Sequence, residues 1–134
     1  MRPTATPTVL PSDTPTAEPT AAPPTLVEPA DGEAFGGKDA IIQLVWTSGH
    51  TLRPDECYRV TVRWTEQGAM AANEVCLQDT VWFMPEGLYL RADQETDRLY
   101  SWSVDLARRT TDANGNQRFR PIGPASEEWT FHWR

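Results

Sequence analysis

The chain has 134 residues and a formal net charge of −7 at neutral pH, with a sequence pI near 4.7. That length holds one domain, and the acidic balance argues against nucleic acid or anionic membrane as partners, since both would repel the chain at long range. No apolar run approaches the ~20 residues a helix needs to cross a bilayer; the longest, Ile41 to Trp46, is strand-sized and interrupted by Gln43.

Pro3, Pro7, Pro11, Pro15, Pro19 and Pro23 recur at every fourth position, with Thr, Ala, Ser, Val, Leu and single acids between them. Each proline fixes its φ, removes a backbone donor and pushes the preceding residue toward extended geometry, so neither a helix nor a sheet ladder is expected. Residues 1–24 therefore read as a disordered but stretched linker, on the order of 70 Å long at ~3.1 Å per residue. Thr beside Pro is also the composition of O-glycosylated stalks; a bare spacer is the competing reading. The opening Met1-Arg2-Pro3 has no hydrophobic segment after it, so it is not a secretory signal, and an export signal is expected upstream in a longer parent.

From residue 25 to 134 the pattern becomes short alternating runs separated by turn residues, which predicts an all-β sandwich of about seven strands. Thr25-Leu26-Val27 is the first, closed by the turn Pro29-Ala30-Asp31-Gly32. Ile42, Leu44 and Trp46 share a parity and face inward in the second. Tyr58, Val60, Val62 and Trp64 do so in the third, the cleanest alternation in the chain. A turn at Glu66-Gln67-Gly68 returns the chain through Asn73–Leu77. Thr80–Met84 comes next with Trp82 and Met84 inward, the opposite parity with Val81 and Phe83 inward being the alternative; residues 86–95 then read as a crossover that packs Leu88 on the edge, with one helical turn as the competing reading. Leu99–Ala107 places Tyr100, Trp102, Val104 and Leu106 inside. Asn114-Gly115 predicts a type I′ hairpin with both φ positive. Pro121 and Pro124 interrupt pairing beyond the hairpin, so the last strand is either bulged or restarts near Ser126, and it buries Trp129, Phe131 and Trp133. Most of the six tryptophans thus lie on inward faces, as a small domain short of core requires.

Trp46, the series Tyr58-x-Val60-x-Val62, the series Tyr100-x-Trp102-x-Val104, and Met84-Pro85-Glu86-Gly87-Leu88 before the latter resemble the fibronectin type III family, whose turn at that point leads to a tyrosine corner. With the Pro/Thr-rich stalk, the opening Pro29-Ala30-Asp31-Gly32 and the closing Trp129-Thr130-Phe131-His132-Trp133, the chain is similar to divergent modules of bacterial surface proteins of the Chloroflexi type. The resemblance covers residues 25–134 and implies an immunoglobulin-like sandwich. The segment from Leu88 to Arg98 is longer than the family's usual link, and an Arg-Gly-Asp loop is absent.

Cys57 and Cys76 are the only cysteines. A hairpin turning at Glu66 and Gln67 sets them directly opposite one another on the face away from Tyr58, within bridging reach, which predicts a disulfide and an oxidising compartment; two reduced thiols are the competing reading. Arg108, Arg109, Arg118 and Arg120, with Phe119 among them, flank the Asn-Gly tip and make a basic hairpin on an acidic domain. An acidic protein patch or an acidic glycan is the partner such a hairpin implies, and cross-strand pairing with Asp105, Glu127 and Glu128 is the competing reading. His50 and His132 have no ligand-spaced neighbours, and Ser48 lacks a nucleophile elbow. Asp93, Glu95 and Asp97 copy the first half of a calcium loop, but Arg98 stands where Gly is needed and Val104 where Glu is. No catalytic residue, cofactor or metal is expected. The sequence thus predicts an extracellular spacer or protein-interaction module that serves neighbouring domains of a larger parent. The alternatives are a carbohydrate-binding module stacking sugars on Tyr89, Phe119 or Trp82, and the sensor part of a membrane-anchored signalling protein.

Overall fold

Alternation of apolar and polar residues along extended segments lets a strand bury one face and hydrate the other, and the computed structural model is built from such segments. It describes residues 21–134; the tetrapeptide-repeat linker over residues 1–20 lies outside the described residues. β1 (Thr25–Glu28), β3 (Gln43–Thr47) and β6 (Val81–Phe83) form an antiparallel sheet in the order β1-β3-β6. β4 (Glu56–Glu66), β5 (Ala69–Leu77), β7 (Leu99–Thr111), β9 (Trp129–Trp133) and β2 (Glu33–Phe35) form the second, in the order β2-β9-β7-β4-β5, with β8 (Gln117–Pro121) also on β7. The described residues are mostly β-strand, with 3₁₀ turns at Glu86–Leu88 and Gln94–Thr96, and the two sheets face each other across one core.

The inward parities are those of the sequence. Ile42, Leu44 and Trp46 from one sheet meet Tyr58, Val60, Val62, Trp64, Tyr100, Trp102, Val104, Leu106, Phe131 and Trp133 from the other, all buried. Trp46 bridges the layers, with ring centroids 5.7 Å from Tyr58 and 6.4 Å from Trp102. Tyr100 stacks on Phe131 at 5.5 Å. Met84 and Leu88 are buried, while Trp82 and Trp129 are half-buried against the core.

Among the described residues nine strands replace the expected seven or so. β2 is too short to give a periodic signal; it forms because Glu33–Phe35 run parallel to Phe131–Trp133, after a turn in which Gly32 takes φ +86°. The second extra strand comes from the prolines, which split the last segment into β8 and β9. Ser126 bridges the gap, its N–H donating to the Val104 carbonyl while its hydroxyl accepts from the Val104 N–H. Packing also reaches upstream of Thr25. The Ala21 N–H donates to the Ile122 carbonyl, and Pro24 is buried.

Two turns differ from expectation. The two-residue turn with both φ positive is Gln67-Gly68, at +52° and +81°, and it closes β4 onto β5 with Glu66 opposite Ala69. At the other hairpin only Gly115 is left-handed, with φ +82°. There the Asp112 carboxylate accepts the Asn114 and Asn116 N–H groups at 2.9 Å each. That capping favours a wider loop with one glycine in the left-handed position over the tight type I′ turn.

Candidate interaction surfaces

The shift of the β4–β5 turn by one residue moves the register by two, so Cys76 lies opposite Arg59 and not opposite Cys57. The two cysteines are diagonal neighbours, still at disulfide bonding distance with Cα atoms 5.6 Å apart. As parity requires, they sit on the face away from the core. Cys57 is nonetheless buried, because Ala107 stands beside it on β7 and the Arg109 guanidinium reaches Cys76 Sγ at 3.9 Å.

The five residues of the basic hairpin do not form one patch. Arg108 is opposite Arg120 and Thr110 opposite Arg118, whereas Arg109 is opposite Phe119. The first set therefore has the parity of the core and the second that of the outer face. Arg118 pairs with Asp112 at 3.2 Å. The Asn116 N–H, the Asn114 N–H and Arg118 together hold the Asp112 carboxyl below the usual carboxylate range. Arg108 turns inward to Glu56 at 3.0 Å. Arg109 and Arg120 have no carboxylate partner among the described residues, and the strand lies between them. The expected partners are engaged elsewhere: Asp105 takes a two-bond contact from Arg59 at 3.0 and 2.7 Å, Glu128 pairs with Arg63, and Glu127 accepts from Trp129.

Sequence reasoning missed Glu56, the one charged side chain buried among the described residues. It starts β4 on the inward parity, where an apolar residue is the rule. Its Oε1 accepts the Arg53 N–H at 3.0 Å and lies 2.9 Å from His50 Nε2, and its Oε2 accepts from Arg108 Nη2 at 3.0 Å. Burial pushes its pKa up, but the Arg53 N–H, His50 and Arg108 more than offset this, and it falls from 4.5 to about 2. The cluster ties the loop after β3 to β7. The only signal available was an acidic residue just before an alternating run. A shallow cleft of about 410 Å³ lies beside it, lined by Leu52, Arg53, Pro54, Tyr58 and Gln78. Gln78 donates to the Arg53, Pro54 and Glu56 carbonyls.

The half calcium loop has other work. Asp93 accepts the Gln67 and Gly68 N–H groups at 2.6 and 2.9 Å, and Asp97 binds Arg134 at 2.6 Å. Tyr100 secures the same crossover: its hydroxyl donates to the Leu88 carbonyl and accepts the Arg91 and Ala92 N–H groups. The aromatics considered for sugar stacking lie on separate elements, Trp82 on β6, Phe119 on β8, and Tyr89 just after the 3₁₀ turn Glu86–Leu88 with its ring 5.2 Å from Trp133. No helix among the described residues is long and apolar enough to cross a membrane. Comparison with protein-family models, with curated proteins and with solved structures finds no match.

Proposed function

We propose that this chain is an exported, non-catalytic module of the fibronectin type III kind, which spaces or presents a neighbouring domain of a larger surface protein and makes protein contacts of its own. The observation that carries the reading is the Tyr100 corner. A three-stranded sheet faces a sheet built on β4 and β7, and a buried tyrosine hydroxyl fixes the crossover that leads into β7. That arrangement is the one the resemblance implies. The paired cysteines support an oxidising location.

The non-catalytic reading draws on the state of the polar groups. Glu56, the buried carboxylate, already binds three donors and stays ionised, so it is poorly suited to give or take a proton near neutral pH. Protein contact is favoured over glycan stacking because Trp82, Tyr89 and Phe119 lie on three separate elements. The test is thiol trapping in the producing organism, combined with labelling of Lys38 on intact cells by a membrane-impermeant amine reagent. Export predicts that Cys57 and Cys76 resist alkylation until reduced and that the label reaches the protein. Free thiols together with exclusion of the label would overturn it.

A further inference from the structure

An edge strand exposes a row of unpaired N–H and C=O groups, and natural sheets blunt such edges with short strands, charges, prolines or bulges. Among the described residues every edge but one is protected in this way. β1 has four residues, a register shift, and Pro24 and Pro29 at its ends. β6 and β2 have three residues each. β8 carries Arg118, Arg120 and Pro121. β5 has nine residues, no proline, a single charge at Glu74, and an unbroken register with β4 from Leu77 to Ala69.

The two-residue turn makes Glu66 and Ala69 the closing hydrogen-bonded pair, and bonded pairs alternate from there. The backbone groups of Ala69, Ala71, Asn73, Val75 and Leu77 are therefore spent on β4, while those of Met70, Ala72, Glu74 and Cys76 point off the sheet. We propose that this edge is a homotypic docking strand: two copies of the chain pair antiparallel through Met70–Cys76, centred on Asn73, and join their larger sheets into one.

That register sets Met70 opposite Cys76 and Ala72 opposite Glu74, so all four outward residues find bonded partners, with two bonds per pair and about eight in all. No like charges stand directly opposite, and the small side chains of Ala71 and Ala72 leave the approach open. A second copy fits better than a charged foreign strand because the surroundings of β5 are internally neutralised. Glu66 is held by Arg91, Arg59 by Asp105 and Arg63 by Glu128, so the −7 of the whole chain is not concentrated here and no run of one sign selects an oppositely charged peptide. Met70, 72% exposed at the turn end of the strand, would gain cover against the second disulfide. This inference does not depend on the family reading, and it survives if that reading fails.

The experiment uses the full chain in sedimentation velocity from about 1 μM to about 1 mM, the range of weak contacts, with amide exchange measured at both ends. Dimerisation is expected within the range, and the Met70, Ala72, Glu74 and Cys76 amides should exchange at least about tenfold more slowly in the dimer. Ala72→Pro removes an outward donor that β4 does not use; it should weaken the dimer about tenfold or more while the monomer keeps its fold. Asn73→Cys should give a symmetric cross-linked dimer under mild oxidation with Cys57–Cys76 intact, because non-bonded antiparallel pairs hold Cα atoms at about 4.5 Å. A monomer throughout, with the four amides exchanging freely, overturns the proposal even if some other strand binds the edge. So does a dimer indifferent to Ala72→Pro, or an Asn73→Cys chain that stays monomeric.

Discussion

Glu56 and its three donors form an electrostatic unit whose sign can be followed with pH. The fold favours the ionised carboxylate, with the pKa lowered from 4.5 to about 2, so on acidification protons bind the unfolded chain first. The contribution of Glu56 to stability is therefore complete above about pH 4.5 and is lost as pH falls through about 2. Asp112, Glu66 and Asp97 are shifted in the same direction, Asp112 by its loop N–H groups, Glu66 mainly by Arg91 and Asp97 mainly by Arg134. The acid limb of the wild-type curve thus has several sources, and only a difference measurement isolates one. Glu56→Gln keeps the shape and removes the charge. It is expected to cost about 1–3 kcal/mol at pH 7, where Arg108 and His50 lose a charged acceptor, and the gap to wild type should close toward pH 2. Urea midpoints across that range are the measurement. A gap that stays constant with pH would mean that packing, and not the charge, holds the corner.

Element by element, the strands were legible where burial is one-sided. Tyr58 to Trp64 and Tyr100 to Leu106 could only face inward, because a slip of one residue would expose every large side chain. The inward parity survived even for half-buried Trp82. What could not be read was set by contacts distant in sequence. β2 exists only because β9 lies beside it. The turn is centred on Gln67-Gly68 and not on Glu66-Gln67, with Gln67 in the left-handed region and its N–H capped by Asp93, 26 residues on. The arginines near the tip looked like one patch because spacing in sequence carries no sign for the two faces of a ladder. Glu56 was hidden by the rule that inward positions are apolar. Gly123 is a further case in which sequence gives no warning. A Cβ there would collide with the Ala21 carbonyl oxygen, so the approach of residues 21–24 to the segment before β9 depends on this glycine. Gly123→Ala is expected to speed exchange of the Ala21 amide about tenfold or more by displacing its bond to Ile122, and to lower global stability by no more than about 1 kcal/mol. Amide exchange and a urea titration on the same sample decide it. Unchanged Ala21 protection would show that the two segments shift together and keep the bond.

At the scale of the molecule, the core is continuous across both sheets, but β5 contributes little to it. Its core-facing residues Ala71, Asn73, Val75 and Leu77 are only half-buried, while β4 beside it supplies Val60, Val62 and Trp64. The Cys57–Cys76 bridge joins residues 19 apart in sequence and encloses the β4–β5 hairpin except its outermost residues, so it fastens the least buried long strand to one whose inward face is buried. Closing a loop of that size restricts the unfolded chain by about 3 kcal/mol in the entropy account. The buried tryptophans do not depend on the bridge, because Trp46 meets Tyr58 and Trp102 through side chains of β3, β4 and β7. Cys57→Ser/Cys76→Ser is therefore expected to remain folded and unfold in one transition, about 3 kcal/mol less stable, with a melting temperature lower by on the order of 10 °C. Reductant should bring the wild type to the same values and leave the variant unchanged. Retained tryptophan fluorescence with faster exchange confined to β5 is the signature of a clamp on an edge. Loss of the native indole signal in the variant would instead make the bridge a condition for assembling the core, and would move the folding decision from the tryptophans to the cysteines.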